Sequence, residues 1–160
     1  MSKPLIAVTM GDPAGVGPEI VAKSLASEAV TEVADCVIVG DKKCMENAIR
    51  IVGAGLEIRV IQKPSEGQYE KGIMNLIDLD NVNMDVFEFG KVSGMCGKAA
   101  YDYIAKSIEL ANAGEVDAVS TTPINKEALK AGDIHFIGHT EIFGALTGTE
   151  DPLTMFETNG

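Results

Sequence analysis

The sequence has no tryptophan, three cysteines, two histidines and about half as many cations as anions. Each shortage removes a class of protein. Cys36, Cys44 and Cys96 are odd in number and form no C-x-x-C pair, and only His135 and His139 could join them as ligands. Neither a disulfide framework nor a structural zinc site can be read from that set, and no metal ligand is assigned. Thirteen Lys and Arg against 24 Asp and Glu leave a formal charge of −11. That charge repels a polyanion unless the few cations are focused in one cleft, so nucleic acid is not expected as a partner. The apolar run at residues 5–10 is too short for a signal-peptide core and far too short for a bilayer. No membrane partner is expected, and a cytoplasmic, reducing compartment is the default.

What is present is globular in composition: 160 residues, 46% apolar and 23% charged. A domain of this size buries roughly 70% of the surface its unfolded chain exposes. Short apolar runs alternate with helix-length segments. Residues 5–10 read as a strand, followed by a Gly/Pro loop and a helix over about 18–30. Residues 36–40 read as a second strand, with Asp41 as N-cap of a helix over 41–52, and 58–61 as a third strand. This spacing predicts βαβ crossovers and an α/β fold with a mostly parallel sheet and flanking helices. Residues 63–90 show no clear period and read as irregular, with a short strand at 86–89. A long helix is expected over about 94–113, stopped by Gly114, then a strand at 117–122 and a helix at about 140–146. Residues 153–157 read as a strand and Thr158-Asn159-Gly160 as the start of a hairpin turn with no return strand.

Three stretches could carry chemistry. Gly11-Asp12-Pro13-Ala14-Gly15-Val16-Gly17-Pro18-Glu19 follows the first strand. It is not the dinucleotide fingerprint, because Ile20 stands where Gly or Ala is required and Glu19 would repel a pyrophosphate. A tight strand-to-helix turn without a ligand competes with a binding loop. Thr121-Thr122-Pro123-Ile124-Asn125-Lys126 lies beyond the carboxyl end of a predicted parallel strand, the edge where open α/β sheets bind ligands. There Asn125 and Lys126 can orient an anion, or Asn125 can simply start a helix. In Gly138-His139-Thr140-Glu141 the glycine permits close approach, and His139, the Thr140 hydroxyl and helix-start amides suit a phosphate or carboxylate. The competing account makes Thr140 an N-cap and His139 part of a satisfied polar network. His135, between Ile134 and Phe136, reads as packed or superficial, and the cysteines as packing residues.

Taken together, the stretch from Thr9 to Glu19, Thr122-Pro123-Ile124-Asn125-Lys126 and Gly138-His139-Thr140-Glu141 closely resemble the 4-hydroxythreonine-4-phosphate dehydrogenase family of pyridoxal phosphate (vitamin B6) synthesis. The opening loop also echoes isocitrate and isopropylmalate dehydrogenases, which implies their two-domain α/β fold. The resemblance implies NAD-dependent oxidation and decarboxylation of 4-phosphohydroxy-L-threonine, or of 4-phospho-D-threonate or 4-phospho-D-erythronate in a related branch. It further implies a divalent metal (Zn, Mg or Co) held by three histidines, and a homodimer. His139 and Thr140 match the pair that contacts the phosphorylated substrate, with Asn125 and Lys126 beside it. Gly11, Asp12, Gly15 and Gly17 match the loop taken here as cofactor-binding. Family members are about two domains long, so residues 1–160 are expected to be the amino-terminal half, with the metal histidines and most cofactor contacts in the other half and the chain inactive alone. The alternative of another class is a small non-catalytic α/β module that binds a phosphorylated metabolite or a protein.

Overall fold

The computed structural model describes residues 3–158. Its elements follow in the order β1 (Leu5–Thr9), α1 (Gly17–Leu25), α2 (Glu28–Thr31), β2 (Asp35–Gly40), α3 (Lys42–Val52), β3 (Glu57–Val60), β4 (Ile73–Asp78), α4 (Gly94–Asn112), β5 (Ala118–Ser120), α5 (Lys126–Ala131) and α6 (His139–Thr147). The five strands form one parallel sheet in the order β3-β4-β2-β1-β5, with Leu5 opposite Asp35 and Val8 opposite Ser120. The chain leaves β1 towards β2 on one side, and α4 later carries it to β5 on the other. Right-handed crossovers running in opposite directions put their helices on opposite faces, so the central strands are covered twice. Ile38, Val39, Met74 and Leu76 are buried accordingly. None of the helices is long and apolar enough to cross a membrane among the described residues.

Asp41 caps α3 as the sequence indicates, and it also does more. The carboxylate is fully buried; Oδ1 accepts from the Lys43 and Cys44 amides at 2.9 and 3.3 Å, and Oδ2 from Val82 N at 3.0 Å. One side chain thereby joins the end of β2, the start of α3 and the loop after β4. On the other face α4 is the platform. Gly97 lets α5 approach backbone to backbone, since a Cβ there would overlap the Ala128 carbonyl. Ile104 and Ile108 farther along α4 bury Ile142 of α6.

Four sequence expectations fail. Residues 63–90 are not all irregular: β4 lies within them, a central strand whose apolar run is broken by Asn75. That side chain is 1% exposed yet satisfied, Nδ2 donating to Gln68 O and Oδ1 accepting from Gln68 N. No strand forms at 86–89, where Asn83 accepts from the Asp85 and Val86 amides to make a turn, and Phe87 packs edge-on against Phe89 at 4.8 Å. The helix expected over 18–30 is two helices, because Ser27 is extended (φ −88°, ψ 126°) between α1 and α2. Residues 153–157 form no strand; Leu153, Met155 and Phe156 are exposed and the segment pairs with neither sheet edge. Of the expected hairpin turn, Asn159 and Gly160 lie outside the described residues.

Asp41→Ala strands three amides at once, two of them buried, and it should lower stability by about 2 to 4 kcal/mol, with Asp41→Asn losing less because one oxygen remains. Urea denaturation reads both. Gly97→Ala sets a helix-propensity gain of about 1 kcal/mol against overlap with a backbone that cannot rotate away. Overpacking of about 1 to 3 kcal/mol should win, giving a lower melting temperature.

Candidate functional site

The loops after β1 and β5 leave the same carboxyl edge of the sheet, because these strands are parallel neighbours. In the first, Met10 N donates to Val39 O at 2.9 Å, and Asp12 Oδ1 accepts from Ala14 N at 2.9 Å. Burial pushes the Asp12 carboxyl above its ordinary value, and the Ala14 N–H partly opposes that. Gly11 has φ 77°, and a Cβ there would overlap Thr122 Oγ1 and Pro123 O; a Cβ on Gly17 would overlap Met10 O and sit 2.8 Å from Thr122 Oγ1. Gly11, Asp12 and Gly17 are buried, and of the four loop residues matched to a cofactor only Gly15 is exposed. The close contacts of Gly11 and Gly17 are thus made to protein, and Gly15, Val16 and Ile20 are the exposed residues of this stretch.

The second loop opens onto a cleft of about 490 Å³. Pro123 and Ile124 line it from the loop, Lys126 stands at the start of α5, and Gly138, His139, Thr140 and Glu141 close it at the start of α6. Lys126, His139 and Thr140, far apart in sequence, are therefore brought together. The Lys126 side chain forms no ion pair among the described residues. Asn125 is placed beside the cleft and is engaged as the cap of α5, Oδ1 accepting from Glu127 and Ala128 amides at 2.9 and 3.2 Å. Gly138 is extended, and a side chain on it would meet no atom within 4 Å, so the glycine leaves space. The first intrahelical bond of α6 runs from Ile142 N to Gly138 O at 3.2 Å. The amides of His139, Thr140 and Glu141 precede it and have no intrahelical acceptor, which gives the cleft a partial positive charge.

His139 supplies the most pointed observation. Its Nε2 is buried without a hydrogen-bond partner, a costly state for a polar atom, and burial pulls the imidazole pKa below 6.5. The network expected under the competing account is not present at this nitrogen. Thr140 makes no side-chain cap, since Gly138 holds the N-cap position. Glu141 lines the cleft but is tied back, Oε2 accepting from Ile137 N at 2.8 Å. Sequence reading gave Glu141, Pro123 and Ile124 no role. A Glu three residues after a helix start is a recognisable signal for the first of these.

His135 lies elsewhere, exposed and bonded to Asp133 Oδ1 at 2.8 Å. Among the described residues no three His, Cys, Asp or Glu side chains gather to hold a metal ion, so the groups present do not fit a metal. The cysteines are free, and burial, aided by the Asp41 charge, pushes the Cys44 thiol up to about 12. A second cavity, of about 370 Å³ between α1 and the sheet, is walled by Ile6, Val8, Val21 and Ile38 and lined by no charged side chain. It is no competitor as an anion site.

Comparison with known proteins bears on the family and the fold. A profile for the pyridoxal phosphate biosynthetic protein PdxA matches residues 32–160. A Fusobacterium nucleatum protein named "Putative D-threonate 4-phosphate dehydrogenase" is 56% identical over 154 residues, covering 96% of this chain and 46% of the relative. A Clostridium botulinum protein of the same name is 51% identical over 159 residues, covering 99% and 48%. The crystal structure of a 4-hydroxythreonine-4-phosphate dehydrogenase from Burkholderia phymatum superposes with a TM-score of 0.91 at 45% identity, covering 94% of this chain and 46% of that one. The chain spans about half the length of the curated relatives it matches. On these matches, which take in most of its residues, the chain belongs to the family of the pyridoxal phosphate biosynthetic protein PdxA.

Proposed function

We propose that this chain is the amino-terminal half of a two-domain α/β dehydrogenase and supplies its substrate-phosphate site, for NAD-dependent oxidation and decarboxylation of a 4-phosphorylated hydroxy acid. The observation that carries the reading is the convergence of Lys126, His139 and Thr140 on the open start of α6, with Nε2 of His139 buried behind the cleft and without a partner. The Lys126 ammonium, the Thr140 hydroxyl, an Nε2–H tautomer of His139 and the first-turn amides would each donate to a phosphate oxygen. An anion there gives the orphaned nitrogen its partner and fixes one end of the substrate. NAD, when bound, accepts a hydride. A divalent metal is implied by the family resemblance alone, since no three His, Cys, Asp or Glu side chains gather among the described residues. A cytoplasmic homodimer completes the reading.

Two substrates share this chemistry. 4-Phosphohydroxy-L-threonine follows the names of the solved structures, and 4-phospho-D-threonate those of the relatives at 56% and 51% identity. The higher identity of the latter favours the second substrate.

Calorimetric titration with 4-phospho-D-threonate and 4-phosphohydroxy-L-threonine tests the site. Lys126→Ala, His139→Ala and Thr140→Val should each weaken binding by about 1.5 to 3 kcal/mol per charge-assisted bond lost, while unphosphorylated D-threonate barely responds. Equal losses for both ligand classes, or unfolding as the main effect of His139→Ala, would overturn it. A His139 pKa lowered by burial also means that the unfolded chain takes up its proton first as pH falls below 6.5. The contribution of His139 to stability is complete above that pH and declines below it. An NMR titration of the ring should give a midpoint under 6.5, moving upward when phosphate binds.

A further inference from the structure

The first glycine loop has a task that its motif does not announce. The β1–β5 ladder stops at Val8 opposite Ser120, and beyond it Thr122 takes over. Its Oγ1 donates to Thr9 O at 2.9 Å and its N–H donates to Thr9 Oγ1 at 3.3 Å, both buried. One residue later Pro123 O accepts from Asp12 N at 3.0 Å. Gly11 and Gly17 enclose the same hydroxyl, so closely that neither could carry a Cβ. Four residues of the first loop region therefore clamp two residues of the second, and those two lead directly into Ile124 and Lys126 of the cleft.

We propose that Thr122 is a positioning residue for the phosphate cleft, latched by Thr9 and seated between Gly11 and Gly17, so that the glycine loop acts on the substrate through Lys126. The inference rests on the phosphate reading above. Gly11 and Gly17 then owe their identity to the seating of this threonine. A ligand approaching the same loop would find their inner side already occupied. The hydroxyl is the necessary group: valine has the same shape but cannot donate to Thr9 O, whereas serine can.

The experiment is calorimetric binding of 4-phospho-D-threonate and of unphosphorylated D-threonate to wild type, Thr122→Val, Thr122→Ser, Lys126→Met and the double variant Thr122→Val/Lys126→Met. Thr122→Val should weaken the phosphorylated ligand about fivefold or more, as loss of one hydrogen bond would, and leave D-threonate unchanged. Thr122→Ser should stay within about twofold of wild type on the same scale. Because the latch acts through Lys126, adding Thr122→Val to Lys126→Met should cost almost nothing further. Wild-type affinity in Thr122→Val, or full additivity in the double variant, would overturn the proposal while Lys126→Met still weakens binding. If Lys126→Met itself binds normally, the phosphate reading fails and the latch with it. Should Thr122→Val melt before binding is measurable, Thr9→Val tests the other bond of the latch: it removes the acceptor of Thr122 N, leaves the Thr122 hydroxyl bonded to Thr9 O, and should weaken only the phosphorylated ligand, wild-type affinity there refuting the latch. If neither folds, the two hydroxyls hold the fold and not the cleft, and the proposal is refuted.

Discussion

A parallel sheet turns its chain out of the plane at the carboxyl end of every strand, where the backbone polar groups are already cut off from water. Leaving them unpaired costs more than most single contacts return. Here side chains meet the constraint one strand at a time. Thr122 and Thr9 close the end shared by β1 and β5, Asp12 folds the loop after β1 upon itself, and Asp41 gathers the ends of β2 and β4. The architecture of the ligand-facing edge follows from these bonds. Residues that look like site chemistry in a sequence, two aspartates among them, are largely spent on holding the edge together, and the cleft stands to one side, where α5 and α6 begin.

This division explains what the sequence made legible. β1, β2, α3 and α4 follow from periodicity and capping, because most of their apolar stripe is buried, with the exposed Ile51 of α3 and the buried Thr9 of β1 as departures. β4 is hidden since Asn75, a polar residue in the sheet's interior, is satisfied by a loop backbone that no pattern foretells. The break between α1 and α2 has neither glycine nor proline to mark it. Within the site, Asn125 is a readable cap, and a helix start near Thr140 is readable, although the structure begins α6 at His139 with Gly138 as its cap. The pairing of Lys126 with that helix start depends on how both helices sit on α4. Gly97 and the Ile104–Ile108–Ile142 cluster determine this. The Thr9–Thr122 contact spans 113 residues and leaves no local trace.

A net charge of −11 and the phosphate cleft proposed above look incompatible, and distance reconciles them. Charges spread over the surface act through water and salt, and fade over roughly 8 Å at physiological ionic strength. In the proposed site the ammonium of Lys126 and the helix-start amides would act at contact range, in a recess whose lining carboxylate, Glu141, is held against the Ile137 backbone. Global repulsion governs how fast a dianion arrives. Local donors govern whether it stays.

The strand order has a consequence for how the molecule is made. β1 is translated first and gains one neighbour early, when Asp35 comes opposite Leu5. Its other edge stays open until Ala118 emerges, roughly 4 to 17 s later at the usual pace of about 5 to 20 residues per second. Through that interval Ile6 and Val8 belong to an exposed strand edge, the form most prone to pair with another nascent chain. Docking of β5 closes that edge, and the same event brings the loop bearing Lys126 into place. The cleft accordingly cannot form before the open edge of β1 is closed, and a chain stalled before residue 118 has its apolar edge open and lacks the loop that bears Lys126.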